Sequence, residues 1–194
     1  MGRGRIEAFS DGVIAIIITI MVLELKVPHG ADWHDLVSLW PVFLSYVLSF
    51  IYVGIYWNNH HHLFHTVKIV NGNVLWANLH LLFWLSLTPF TTAWMGENHF
   101  EALPVAVYGF ALFMCGVAYT ILLRVLLANH PEDSMLAQAA KGDRKSLLSV
   151  IAYATAAVIA FLVPYLSFAI YMLVALVWLV PSRRIEQMLG GERS

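Results

Sequence analysis

Long apolar runs separated by short polar stretches dominate the sequence. A helix that crosses a membrane needs about 20 mostly apolar residues, and four runs before residue 128 approach or exceed that length. The last apolar stretch, 147–180, is too long for one crossing, and Pro164 near its middle indicates two short helices joined by a tight turn. The pattern therefore predicts six spans, at about 9–27, 36–57, 74–95, 102–127, 146–163 and 165–180.

The distribution of basic residues decides between six spans and five, the number that a single kinked helix at the end of the chain would give. Cytoplasmic loops collect Lys and Arg. With six spans, ten of the 11 basic residues fall on one side, and only Lys26 falls on the other. With five spans, Arg183, Arg184 and Arg193 move to the opposite side. Charge therefore favours six spans with both termini in the cytoplasm, and we expect a multi-pass protein of the cell membrane.

Composition agrees with a membrane protein. Hydrophobic residues make up 60% of the chain and charged residues 12%, and the mean hydropathy is +0.72. A soluble domain is nearer half apolar and a quarter charged. The net charge of −1 gives no reason to expect a nucleic-acid partner. Cys115, the one cysteine, excludes a disulfide within the chain. These numbers predict an all-α integral membrane protein whose first partner is the lipid bilayer.

The first predicted helix differs from the others because it contains no Phe, Tyr or Trp between Ser10 and Asp32. Helical spacing places Ile16, Ile20 and Leu23 on one face, with Thr19 beside them. Such a face could line an ion pathway. Any aliphatic helix offers a stripe of this kind to lipid or to a protein core, so spacing alone does not decide between these roles.

The polar start of this helix favours the pathway. Arg5, Ser10 and Asp11 lie at the expected membrane boundary, and ionisable groups there usually pair or face water. A cap on the first helical turn is the plainer explanation of Asp11, but it leaves Arg5 unexplained. The partners that we expect to hold Asp11 are His60, His61 and Asn78.

Four histidines within six positions follow the second predicted span. Histidine clusters can bind metal, but membrane enzymes of the di-iron type need several such boxes and only one is present here. We therefore expect no enzyme and no cofactor. The cluster is instead interpreted as an incidental zinc site, a pH-sensitive hydrogen-bond network, or simply the end of a helix at the interface. Its members are His60, His61, His62 and His65.

A secondary transporter and a membrane enzyme are the two alternatives to an ion channel. A secondary transporter needs a polar site near the middle of the membrane, and the polar residues within the spans are few: Thr19, Ser45, Ser49 and Ser86. A membrane enzyme would need a second histidine box. The chain also lacks a phosphate loop, an HExxH motif and the Thr-Val-Gly-Tyr-Gly filter of common potassium channels. The transporter stays open as the alternative, and a membrane enzyme with a histidine box is the less favoured one.

The segment RIEAFSD at 5–11 resembles the RxxxFSD signature of the transmembrane protein 175 family. Further on, WNNHHHLF at 57–64, Trp76 with Asn78, and PFT at 89–91 look like the second and third helices of that family. The resemblance covers about the first half of the chain, and the second half is similar only in hydropathy and helix number.

This resemblance implies a modestly selective potassium channel, a homotetramer of six-helix subunits whose first helices line a central pore for monovalent cations. Such channels have no carbonyl filter, and a ring of large aliphatic side chains narrows the pore. By position after the signature, Ile16 forms that ring, Ile20 and Leu23 follow it outward, and Thr19 supplies a hydroxyl layer linked to selectivity. The residues implied as the signature and its supporting network are Arg5, Phe9, Ser10, Asp11, His60, His61, Trp76 and Asn78.

Overall fold

The chain is all-α throughout the residues that the computed structural model describes, which are 2–131, 134–140 and 144–179. The expected fold class is thereby confirmed for these residues. Residue 180 of the last predicted span, and Arg183, Arg184 and Arg193 of the charge argument, lie outside them. The helices are α1 (Arg3–Leu23), α2 (Trp33–Ser38), α3 (Trp40–His65), α4 (Gly72–Ser86), α5 (Thr88–Glu97), α6 (Ala102–Ala128), α7 (Met135–Ala140), α8 (Arg144–Ile159) and α9 (Pro164–Leu179).

Four segments of the described chain are long and apolar enough to cross a membrane: α1, α3, the joined pair α4 and α5, and α6. α4 and α5 meet at Leu87, and Pro89 in the first turn of α5 removes a backbone donor there. α8 and α9 have 16 residues each, which corresponds to about 24 Å of helix. These two helices correspond in position to the short pair predicted from the sequence.

The first helix begins earlier than the apolar pattern predicted. α1 starts at Arg3 and ends at Leu23, whereas the prediction was 9–27. Asp11 is therefore the ninth helical residue and lies in the third turn, so the interpretation of Asp11 as a first-turn cap is wrong. Apolar content marks only the part of a helix that suits lipid, and the polar first turns of α1 form helix as well.

The second long helix also differs from its predicted bounds. A short α2 ends at Ser38, and α3 begins at Trp40 with Pro41 in its first turn, a position that proline favours. α3 then continues to His65 instead of ending at residue 57. The histidine cluster consequently belongs to the last turns of α3, where His60 is buried and His61 and His65 are exposed on another side of the helix.

The turn near Pro164 lies where the sequence pattern placed it. α8 ends at Ile159 and α9 begins at Pro164. The Ser167 hydroxyl donates to the carbonyl of Ala156 at 2.6 Å. This hydrogen bond joins the start of α9 to the last turn of α8 and holds the two short helices against each other.

The helices pack around α3 and α6, and α1 lies against α3, α4 and α5. One apolar cluster joins α1, α4 and the second half of α6, with Ile14, Leu81 and Leu122 among its members. A second cluster joins the first half of α3 with α5, α8 and α9, through residues such as Tyr52 and Tyr171. The subunit thus has a part that holds α1 and a peripheral part formed by the later helices.

The close approach of α5 to α3 gives a test of this packing. A Cβ atom at Gly96 would lie 2.7 Å from the Cα of Val42 and 3.1 Å from Ser45 Oγ. Because a backbone atom cannot rotate away, Gly96→Ala should destabilise the protein by about 1–3 kcal/mol. The measurement is thermal unfolding of purified protein in detergent.

Gly54→Ala is the matched control, because a Cβ atom there meets nothing within 4 Å. In a helix interior this change should be neutral or stabilise by about 0.5–1 kcal/mol. Equal unfolding temperatures for the two variants would contradict the proposed close contact between α5 and α3.

Candidate functional site

One face of α1 is buried against its neighbouring helices. Its residues recur every three or four positions, as expected for one side of a helix, and each is at most 3% exposed. This burial fixes the rotation of α1 relative to α3, α4 and α5. The buried residues are Ile6, Ser10, Ile14, Ile17 and Met21.

The opposite face of α1 is covered by no other part of the described subunit. Ile16 is 59% exposed, Ile20 41% and Leu23 80%. These are the three residues that the sequence placed on a common face. Phe9, at 54% exposed, also faces outward. An aliphatic surface of this kind must contact lipid or further copies of the chain, because water solvates it poorly.

Thr19 is exposed among these aliphatic side chains. Its hydroxyl donates to the carbonyl of Ile16 in the same helix at 2.9 Å. Because the proton is used inside the helix, the oxygen presents its lone pairs to the surroundings. The arrangement is suited to contact with a cation.

A buried chain of hydrogen bonds ties α1 to α3 and α4. His60 Nε2 lies 2.8 Å from Asn78 Oδ1, and Asn78 Nδ2 donates to Ser10 Oγ at 3.0 Å. Since an amide oxygen only accepts, Nε2 carries the proton in this contact. All three side chains are at most 2% exposed. Hydrogen bonds between buried groups are costly to leave unmade, so this chain fixes α1 in both position and rotation.

Asp11 has a different partner from those expected. Trp57 Nε1 donates to Asp11 Oδ1 at 3.0 Å, so the prediction that His60, His61 or Asn78 holds this carboxylate is wrong. A helix turns by about 100° per residue, so Ser10 reaches the buried chain and Asp11 points away from it. The ring of Trp57 also stacks on His61, with centroids 6.0 Å apart.

Sequence reasoning missed Trp57 as the donor to Asp11. The available signal was its position in α3, three residues before His60 and four before His61, on neighbouring sides of one helix. Trp carries an indole N–H that usually finds an acceptor when part of the ring is buried. Spacing from the polar cluster could therefore have suggested it.

Two of the remaining signature residues face outward. Arg5 is exposed, and Trp76 is 74% exposed, so neither joins the network as the resemblance implied. Arg3 makes the polar contacts at this end instead. Its guanidinium pairs with Glu7 at 3.2 Å and donates to the carbonyl of His65 at 3.0 Å. Exposed pairs of this kind contribute about 0–1 kcal/mol to the stability of the fold, so they hold α1 in place only weakly.

The four clustered histidines do not converge on one point. His60 faces Asn78, while the ring of His61 contacts those of His62 and His65 at centroid distances of 5.7 and 5.6 Å. In the part of the chain that the structure describes, no group of three or more His, Cys, Asp or Glu side chains is placed to hold a metal. The geometry therefore does not support the incidental zinc site.

Comparison with known proteins gives consistent similarities. The model of the family "Endosomal/lysosomal potassium channel TMEM175" matches residues 5–89. A protein of Chryseobacterium sp. (strain P1-3) named potassium channel HX13_20290 is 57% identical over 189 residues, which cover 97% of this chain and 98% of that protein. A Streptomyces collinus protein named potassium channel B446_29190 is 38% identical over 127 residues, which cover 61% and 62%.

The structure is similar to a solved one along almost its whole length. A crystal structure described as a lysosomal potassium-selective channel TMEM175 homolog from Chamaesiphon minutus matches with a TM-score of 0.80 and 29% sequence identity. The match covers 91% of this chain and 95% of that one. It therefore extends past the residues matched by the family model and includes the later helices.

The buried hydrogen-bond chain predicts a large effect at its middle member. Asn78→Ala removes both contacts and leaves His60 and Ser10 unpaired, so it should destabilise the protein by about 1–3 kcal/mol. Asn73→Ala, on the exposed side of the same helix, is the control and should change little. Thermal unfolding in detergent measures both. If the two variants unfold at the same temperature, the chain does not anchor α1.

Proposed function

The chain belongs to the TMEM175 family of membrane channels, and on that basis we propose that it conducts potassium ions through a pore between four copies. Relatives that resemble it over most of their length are named potassium channels, and the similar crystal structure is described as potassium-selective. None of these is named as an enzyme, in agreement with the expectation from the sequence. The proposal includes modest preference for potassium over sodium.

The exposed face of α1 is the observation that carries this proposal. A helix held on three sides by α3, α4 and α5 presents Ile16, Ile20 and Leu23 away from its own subunit. Four copies arranged around an axis would place these faces together and cover them. The pore wall would then be aliphatic, and no carbonyl filter would be needed.

We propose Ile16 as the narrowest ring of this pore. A ring of aliphatic side chains can close a channel by excluding water, because a bare charge in an apolar medium costs many kcal/mol. Potassium loses its hydration shell more easily than sodium, so a constriction that strips water favours potassium. Thr19 lies one turn further along α1, and its oxygen would replace part of the lost hydration.

The charge distribution supports a location in the cell membrane with the start of α1 in the cytoplasm. Arg3 contacts the end of α3, and the ring of His130, which follows α6, accepts a hydrogen bond from the backbone N–H of Lys68 at 2.9 Å. These contacts bring basic segments together at one end of the subunit. Lys26 pairs with Glu97 at 2.9 Å at the other ends of α1 and α5. The asymmetry follows the rule that basic loops stay in the cytoplasm.

The test is potassium flux into liposomes that contain the purified protein. Wild-type protein should carry potassium above the rate of empty liposomes. Ile16→Asn should raise the flux and lower the ratio of potassium to sodium, because a polar ring stays wet. Thr19→Val, which keeps the shape and removes the hydroxyl, should lower the ratio without abolishing flux.

Ile151→Asn is the matched control, since Ile151 is 53% exposed on α8, which does not contribute to the proposed pore. It should leave flux and selectivity unchanged. Absence of flux from folded wild-type protein would contradict the channel proposal. A response of Ile16→Asn equal to that of Ile151→Asn would remove Ile16 from the constriction.

A further inference from the structure

A cavity lies in the peripheral part of the subunit, between α3, α6, α8 and α9. Tyr56 of α3, Gly116 of α6 and Val150 of α8 contribute to its walls. It lies on another face of α3 from the one that holds α1, because adjacent residues such as Tyr56 and Trp57 point about 100° apart. The proposed pore does not use this cavity.

The hydroxyl of Tyr56 is the polar group that the cavity leaves unpaired. Tyr52 donates to the carbonyl of Tyr171 at 2.6 Å, and Ser149 Oγ accepts from the indole of Trp178 at 2.8 Å. Within the described residues, Tyr56 makes no hydrogen bond. Tyr56 is partly buried, and no fully buried side-chain oxygen or nitrogen of the described residues lacks a partner. The unpaired hydroxyl is therefore accessible from the cavity and can bond to an occupant.

The lining also excludes a charged occupant. All eleven described residues that line the cavity are uncharged. Lys145 Nζ, a cation near the cavity, lies 4.5 Å from the centroid of the Trp178 ring. An ion brought into this space would lose its hydration with no opposite charge in the walls to compensate. The occupant is therefore neutral.

The size of the cavity limits the occupant to a few atoms. The volume open to the centres of water molecules is about 40 Å³. Each water needs about 10–15 Å³ of this volume, so the cavity has room for about three waters. Each of these waters would need two to four polar partners. The Tyr56 hydroxyl, which makes no hydrogen bond within the described residues, offers one such partner. The side chains of Ile55 and Val150 instead favour hydrocarbon.

We propose that this cavity is a binding site for a small uncharged alcohol of about two to four carbons. Its hydroxyl bonds to Tyr56, and its hydrocarbon part packs against Ile55 and Val150. The site lies on α3, which also carries Trp57 and His60, the residues that contact α1 and α4. An occupant that contacts α3 therefore changes the rate at which the channel conducts potassium. This consequence rests on the proposed channel function.

Binding is tested without reference to ion flux, by ¹⁹F NMR of 2-fluoroethanol added to the purified protein in detergent. The expected result is a saturable change in the fluorine signal that ethanol and 1-propanol compete away, with a loss of competition in longer alcohols. Tyr56→Phe should weaken binding about three- to tenfold, the effect of one hydrogen bond. Tyr165→Phe, at an exposed tyrosine of α9, should not change it.

Changes of cavity size provide the sharper test. Gly116→Ala places a Cβ atom 2.8 Å from Val150 Cγ2, so the longest alcohol that competes should become shorter. Val150→Ala should extend this limit by about one carbon, since it frees about the volume of two methyl groups. Non-specific binding to detergent or lipid has no reason to follow these substitutions.

Three results would overturn the proposal: no saturable binding, equal binding by wild type and Tyr56→Phe, or a chain-length limit that Val150→Ala leaves unchanged. Flux measured with and without 1-propanol then tests the effect on conduction separately. Binding without a change in flux would reject only the coupling through α3, and failure of the channel proposal would leave the binding result intact.

Discussion

The burial of one polar group in α1 determines which side of that helix remains outside the subunit. Ser10 reaches the amide of Asn78, which in turn contacts His60, and all three side chains are removed from water. Because each lost hydrogen bond inside a membrane bundle is unfavourable, α1 cannot rotate freely. The rotation that satisfies Ser10 also buries Ile14 and Ile17 and turns Ile16 outward.

Much of this arrangement could be predicted from the sequence, because it follows from periodicity. Helical spacing alone gave the face that carries Ile16, and Pro164 marked the turn between the last two helices. The partner of Asp11 could not be predicted in the same way. The direction of the Asp11 side chain depends on the rotation of α1 by a single residue and on contacts with helices distant in sequence. Hydropathy reports neither. The same limit applies to Trp76, whose outward position is decided by packing.

The two parts of the subunit use polar residues differently. Around α1, the contacts among Ser10, Asn78 and His60 are fully buried and fix one helix. In the peripheral part, hydroxyls bond mostly to backbone carbonyls, as Tyr52 does to Tyr171, and one of them remains unpaired at a cavity. α3 belongs to both parts, since Trp57 holds Asp11 on one face and Tyr56 lines the cavity on another. A change in the periphery can thus reach α1 through a single rigid helix.

The orientation of α1 toward a water-filled pathway is tested most directly with thiol reactivity. Cys115, the only cysteine, is buried and can be replaced by alanine. In that background we expect silver ions, which bind thiolates, to abolish potassium flux through Ile16→Cys and to leave Ile17→Cys unaffected, because Ile17 is 3% exposed. Block of both variants, or of Ile17→Cys alone, would contradict the proposed pore face.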